Sequence, residues 1–151
     1  MTSAALPIAR RFGFRDCFAC GPDNPHGLRL VFERADDTVV CAYTPELHLG
    51  GYGRILHGGV TSTLLDEAMA WAVYGLLDKL PLTTELRVRF LGALQAGDRL
   101  AITGTIVASD TRGADARAEI RDSTGALRAE GEGRLRFVSE AALSRLTRPG
   151  P

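Results

Sequence analysis

His57-Gly58-Gly59-Val60-Thr61-Ser62-Thr63-Leu64-Leu65-Asp66-Glu67-Ala68-Met69-Ala70-Trp71-Ala72 is the stretch whose reading decides the fold. Val60, Leu64, Ala68, Trp71 and Ala72 recur at three- and four-residue spacing, and Leu65, Met69 and Val73 widen that apolar face. The pattern predicts one long helix from Val60 to about Leu77. Its polar groups are few: the hydroxyls of Thr61, Ser62 and Thr63, and the acids Asp66 and Glu67. A helix apolar nearly all round is wrapped by other elements. Two adjacent carboxylates in its middle are therefore out of place unless they have a task.

The start of the helix is also unusual. Gly58 and Gly59 offer no capping side chain and allow another group to approach the backbone closely. The first N–H groups of a helix lack intrahelical partners and sit at the positive end of its dipole. Such donors suit a developing negative oxygen; a tight strand-to-helix turn that needs small residues is the plainer alternative. Gly59 and Asp66 lie seven residues apart, a separation of roughly 10 Å along one helix. A carbonyl held by Gly59 is therefore out of reach of Asp66 on the same helix. If both act on one substrate, the acid comes from a second copy of the chain, and a two-fold axis would create the arrangement twice.

Working outward, Leu28 to Arg34 alternates like a half-buried strand, Ala35-Asp36-Asp37 is a turn, and Thr38 to Thr44 is the returning strand of a hairpin. Pro45 to Leu56 is a glycine-rich connection carrying Arg54, which is either a phosphate ligand or a solvated loop arginine. After the helix, Asp78-Lys79-Leu80-Pro81 breaks the pattern. Strands follow over Thr83–Leu91, Arg99–Ala108, Ala114–Arg121 and Ala126–Val138, separated by turns such as Gly97-Asp98 and Asp122-Ser123-Thr124-Gly125. Residues 1–16 form an irregular or short helical arm, and residues 139–151 a tail with one helical turn. Six strands in short connections and one long buried helix define an α+β domain spanning 1–151, with an antiparallel sheet around the helix.

Composition excludes several classes. Lys+Arg and Asp+Glu are equal at 18 each, so no electrostatic case exists for nucleic acid as a partner. Met1 to Arg11 has no continuous apolar core of signal-peptide length. The helix, with two acids and Gly75, is a poor membrane span; a soluble, cytoplasmic chain without membrane partners is expected. Three cysteines, Cys17, Cys20 and Cys41, fit a reducing compartment. Cys17-x-x-Cys20 has no second Cys-x-x-Cys to complete a four-ligand zinc site. It is followed by loop rather than helix, which speaks against a redox motif. The pair is read as part of a structural or substrate-lining loop, with no metal and no cofactor.

His57-Gly58-Gly59 followed by Leu65-Asp66-Glu67, with Cys17-Phe18-Ala19-Cys20-Gly21 and Asn24-Pro25-His26-Gly27-Leu28 upstream, resembles the hotdog-fold acyl-CoA thioesterases of the PaaI-like branch. The resemblance runs from about Cys17 to Val138. It implies a hotdog fold and thioester hydrolysis of an acyl-CoA by a homodimer or a homotetramer built as a dimer of dimers. It places Gly59, with Gly58 nearby, at the amide that binds the thioester carbonyl, and His57 at the histidine that shapes this loop. Asp66 becomes the general base or nucleophile supplied by the facing subunit, preferred over Glu67, which is left to bond a neighbouring loop or subunit. Thr83, or Thr84 if the alignment slips by one, holds the water. Where many relatives have a basic residue followed by proline, this chain has Leu91-Gly92-Ala93, so the phosphate contacts of coenzyme A are not inherited. A non-catalytic acyl-CoA-binding module on the same fold is the rival reading.

Overall fold

The computed structural model describes residues 4–11 and 14–150; residues 1–3, 12, 13 and 151, which belong to the expected arm and tail, lie outside the described residues. Among the described residues seven strands form one antiparallel sheet: β1 (Leu6–Pro7), β2 (Glu33–Ala35), β3 (Thr38–Tyr43), β4 (Leu80–Phe90), β5 (Leu100–Ser109), β6 (Gly113–Arg121) and β7 (Leu127–Val138). Their spatial order is β1-β2-β3-β5-β6-β7-β4. The helix α1 (Gly58–Leu77) connects β3 to β4. Those strands are consecutive in the chain but separated in the sheet by β5, β6 and β7. The helix must therefore cross the sheet, and it packs on β3, β4, β5, β6 and β7. A short helix, α2 (Glu140–Leu146), ends the described chain, its first turn capped by the Ser139 hydroxyl accepting from the Ala142 N–H. Among the described residues no helix is long and apolar enough to cross a membrane.

The core is the inner face of α1 against this sheet. Leu64, Leu65, Ala68, Met69, Ala72 and Val73 are fully buried, together with Val39, Ile102, Ile120 and Leu135 from the strands. Each large side chain so buried contributes roughly 1.5–3 kcal/mol. Small residues let the helix sit close to the sheet: a Cβ at Gly104 would overlap the carbonyl oxygen of Ala68, and Gly131 and Gly133 face Leu65 and Met69. Beside them Ala114, Ala116, Ala118 and Ala129 are buried. Trp71 closes one end, stacked on Phe32 at 5.9 Å and edge-on to Tyr74 at 5.2 Å.

Three expectations need correction. The strand expected over Leu28–Arg34 is reduced to Glu33–Ala35. Arg29 takes a left-handed conformation (φ 54°), and the Leu28 and Leu30 N–H groups donate to the carbonyls of Phe18 and Ala19 instead of to a hairpin partner. Leu28, Leu30 and Phe32 are nevertheless buried on one side. The arm contributes a two-residue strand, Leu6–Pro7, paired with Arg34 and Glu33, where irregular or helical chain was expected. The break at Leu80-Pro81 is instead the start of β4; β4 is an edge strand, the place where a sheet tolerates proline.

Candidate functional site

The helix start is organised by His57. It is the N-cap of α1, and its Nδ1 accepts a hydrogen bond from the Gly59 N–H at 2.9 Å. Accepting at Nδ1 leaves the proton of the neutral imidazole on Nε2, which becomes a donor. The Gly59 amide, expected to bind the substrate carbonyl, is thus already occupied. The Thr61 N–H donates to the His57 carbonyl at 3.0 Å, while the Gly58 N–H has no partner among the described residues. The Gly58 and Val60 amides are the ones without a partner at this helix start among the described residues, and of the two only Gly58, one residue before the expected position, lines the adjoining cleft.

Gly58 lies in a cleft of about 460 Å³ whose walls include Tyr52, Ile55, His57, Thr61 and Phe90. A Cβ at Gly58 would touch the Phe90 ring at 3.5 Å. Phe90 is a wall residue that sequence reading missed; its register on β4 carried no sign that it would meet the helix start. Arg54 does not serve this cleft as a free cation. Its Nε and Nη2 donate to the Ala96 carbonyl at 3.2 and 3.0 Å, with Asp98 at 3.9 Å. It latches the connection before α1 to the turn before β5.

The acids of α1 point to different places. Asp66 Oδ1 accepts from the Thr83 hydroxyl at 2.7 Å. Glu67 Oε1 accepts from the Trp71 indole N–H at 3.1 Å and lies with Cys17 and Cys20 in a second, smaller cleft. Successive helix residues differ by about 100° of rotation, which is why one acid meets β4 and the other the cysteine loop. Glu67, expected to bond a neighbouring loop or subunit, lies against the cysteine loop and meets neither Thr83 nor the helix-start cleft. Burial pushes its carboxyl pKa above the ordinary value, against the opposing hydrogen bonds from Cys20 and Trp71.

Thr83 reaches Asp66 through a bulge. Pairing with β7 shifts register between Thr83 and Glu85, leaving Thr84 as the extra residue. Val88 packs on the core and Phe90 neighbours Gly58, so the even-numbered residues after the bulge face α1. Strict alternation would turn Thr83 to the opposite face; the bulge restores it to the helix side. The Thr84 hydroxyl instead donates to the Arg134 carbonyl of β7 at 3.0 Å.

The site therefore consists of two groups on one helix. The helix start lies about two turns below the Asp66–Thr83 pair, and His57, Gly58, Gly59 and Thr83 are all exposed. The thioesterase superfamily model matches residues 53–129, just over half the chain, from the connection before α1 into β7. The chain belongs to the thioesterase superfamily. Its architecture is the hotdog fold. A solved protein described as a thioesterase superfamily protein is 25% identical, with a TM-score of 0.75 over 88% of this chain and 70% of that one. The PaaI protein of Escherichia coli, from its phenylacetic acid degradation operon, is 20% identical, with a TM-score of 0.68 over 74% of this chain and 81% of that one. A Streptococcus mutans protein solved with acetyl-CoA bound is 16% identical, with a TM-score of 0.64 over 68% of this chain and 82% of that one. A comparison with curated proteins found no match.

Proposed function

We propose that this thioesterase superfamily member hydrolyses acyl-CoA thioesters as a homodimer or a dimer of dimers. The Gly58 amide of one subunit faces the partner subunit's Asp66 across the substrate. The observation that carries the reading is the Asp66–Thr83 hydrogen bond. It holds a half-buried carboxylate at the β4 edge of the sheet, where a second copy packed along that edge would bring a helix start to it. Acetyl-CoA in the Streptococcus mutans relative supports a coenzyme A thioester as the ligand.

In the proposed reaction the carboxylate of Asp66 takes a proton from water as the water oxygen bonds to the thioester carbon. The carbonyl π electrons move onto oxygen, where the Gly58 N–H and the positive end of α1 stabilise them. His57, with its proton on Nε2, donates at the rim of the same cleft. Collapse of the intermediate breaks the carbon–sulfur bond, and the proton held by Asp66 neutralises the departing thiolate. Thr83 fixes the carboxylate rotamer by donating to Oδ1, leaving Oδ2 for the water.

An exposed sheet edge supports the proposed dimerisation. β4 is an eleven-residue edge strand, and Leu82, Leu86 and Phe90 are 39%, 38% and 59% exposed. An edge strand that leaves three large apolar side chains in water offers its unpaired ladder to another chain.

The test is thiol release from short-, medium-, long-chain and phenylacetyl-CoA by the native protein and Asp66→Asn. Turnover by the native protein with a loss of about a hundredfold or more in the variant supports the assignment. Saturable binding of acyl-CoA without turnover by either protein would make this a binding module.

A further inference from the structure

Behind the Asp66 side of α1 the fold assembles a second constellation that the hydrolytic reading does not use. The loop Cys17-Phe18-Ala19-Cys20-Gly21 is a closed knuckle. The Gly21 N–H donates to the Cys17 carbonyl at 2.8 Å, and the Cys20 N–H points to Cys17 Sγ at 3.5 Å. A Cβ at Gly21 would overlap the backbone of Cys17, so the loop closes only on glycine. Phe18 and Ala19 are pinned from outside by the Leu28 and Leu30 amides. Onto this knuckle α1 projects Glu67, and the Cys17 Sγ, Cys20 Sγ and Glu67 carboxylate oxygen all lie within 4.8 Å of one another.

We propose that Cys17, Cys20 and Glu67 bind a zinc ion that staples the cysteine loop to the central helix. Two thiolates and a carboxylate match the donor preferences of Zn²⁺. With zinc–sulfur bonds of about 2.3 Å, tetrahedral donors sit about 3.8 Å apart, so the three side chains close on the ion by rotamer adjustment of about 1 Å or less. The fourth position takes a water from the adjoining cleft, which Ala70, Tyr74 and Leu143 border.

The surroundings are those of a supported metal site. The Trp71 indole N–H orients the Glu67 carboxylate by donating to Oε1, as groups behind metal ligands do. The Cys20 N–H beside Cys17 Sγ is a donor for a thiolate. Arg10 donates to the Cys20 carbonyl at 2.6 Å, approaches Cys20 Sγ at 3.7 Å and lies over the Trp71 ring at 5.3 Å. Two thiolates, one carboxylate, Zn²⁺ and Arg10 sum to zero charge, so the filled site leaves no net charge beside the core. Binding balances as Zn²⁺ displacing the two thiol protons to solvent.

The full chain, reduced and stripped with chelator, is titrated with Co²⁺ and then with Zn²⁺. The expected result is one equivalent per chain, with thiolate-to-cobalt absorption in the near ultraviolet and tetrahedral visible bands that zinc abolishes. Zinc also protects two thiols from a thiol reagent. Cys17→Ser and Cys20→Ser lose the thiolate band, and Cys41→Ser keeps it. Trp71→Phe, which leaves all three ligands, weakens binding by about tenfold, and circular dichroism checks that each variant is folded. Thiols that stay equally reactive in excess zinc, a thiolate band that survives in both serine variants, or isolation of the reduced chain with no cobalt band at saturation overturns the proposal. The titration reads no hydrolysis, so it stands or falls independently of the thioesterase reading.

Discussion

The Thr83 hydroxyl donates to Asp66 Oδ1 at 2.7 Å across the gap between β4 and α1. That contact exists because Thr84 is bulged out of register with β7. A hydroxyl on a strand thereby fixes a carboxylate on a helix, and the other carboxylate oxygen has no partner among the described residues.

Asp66→Asn is expected to lower kcat on the preferred acyl-CoA by about a hundredfold or more. Thr83→Val is expected to lower it by roughly ten- to a hundredfold, the value of one hydrogen bond to a charged group, with KM little changed. Thr84→Val, which removes only a bond to the Arg134 carbonyl, stays near native in rate. Steady-state kinetics on the three variants checks this; equal losses at Thr83 and Thr84 would refute the bulge argument.

His57 has a stabilising role and a proposed catalytic one, and two substitutions separate them. His57→Ala removes the N-cap acceptor, at a cost of about 1 kcal/mol, or about 2–4 °C in Tm for a chain of this size. His57→Asn restores a capping acceptor and most of that Tm. Both are expected to lose activity, because neither places an imidazole N–H in the cleft. Thermal melts alongside thiol-release assays distinguish the two roles.

Leu86→Lys puts a charge on the exposed edge strand. Sedimentation is expected to show a shift from oligomer to monomer, with hydrolysis lost in parallel although Asp66, Thr83 and Gly58 are intact. A fully active monomer would contradict the placement of Asp66 and Gly58 on different subunits.

Gly104→Ala tests the close approach of helix and sheet. The added methyl would overlap the Ala68 carbonyl oxygen and meet Val39 Cγ2 at 3.0 Å. Backbone cannot yield as a side-chain tip does, so the cost reaches at least the usual overpacking range of about 1–3 kcal/mol. Denaturant unfolding should show a lower midpoint with an unchanged slope.

The turn between β6 and β7 gives a pH dependence with a definite sign. The Thr124 hydroxyl and then Arg128 hold the Asp122 carboxyl well below its ordinary pKa of 3.8. A carboxyl depressed in the folded state contributes stability above its unfolded pKa, and that contribution is lost as pH falls below about 3.8. The Tm difference between the native protein and Asp122→Asn should therefore be present at pH 7 and shrink through the acid range. A difference independent of pH would remove the charge from the explanation.

The sequence by itself determined the element types and the helix that organises them. Apolar spacing from Val60 to Val73 marked α1 within two residues of its start, and alternation marked β5, β6 and β7 within two residues. Both follow from local periodicity, which a chain carries in its own letters. It also predicted that Asp66 and Glu67 would diverge, since helical rotation is local geometry. Contacts between distant segments depended on the tertiary structure. Arg29's left-handed backbone and the pairing of Leu28 and Leu30 with the cysteine loop shortened the first long strand. The bulge at Thr84 and the capping of Gly59 by His57, which leaves Gly58 as the free amide in the cleft, turned on register and rotamer. Cys17 and Cys20 looked two ligands short in the sequence, because Glu67, forty-seven residues after Cys20, joins them only when α1 packs against their loop. Periodicity records which face a residue takes, and only packing decides what it meets there.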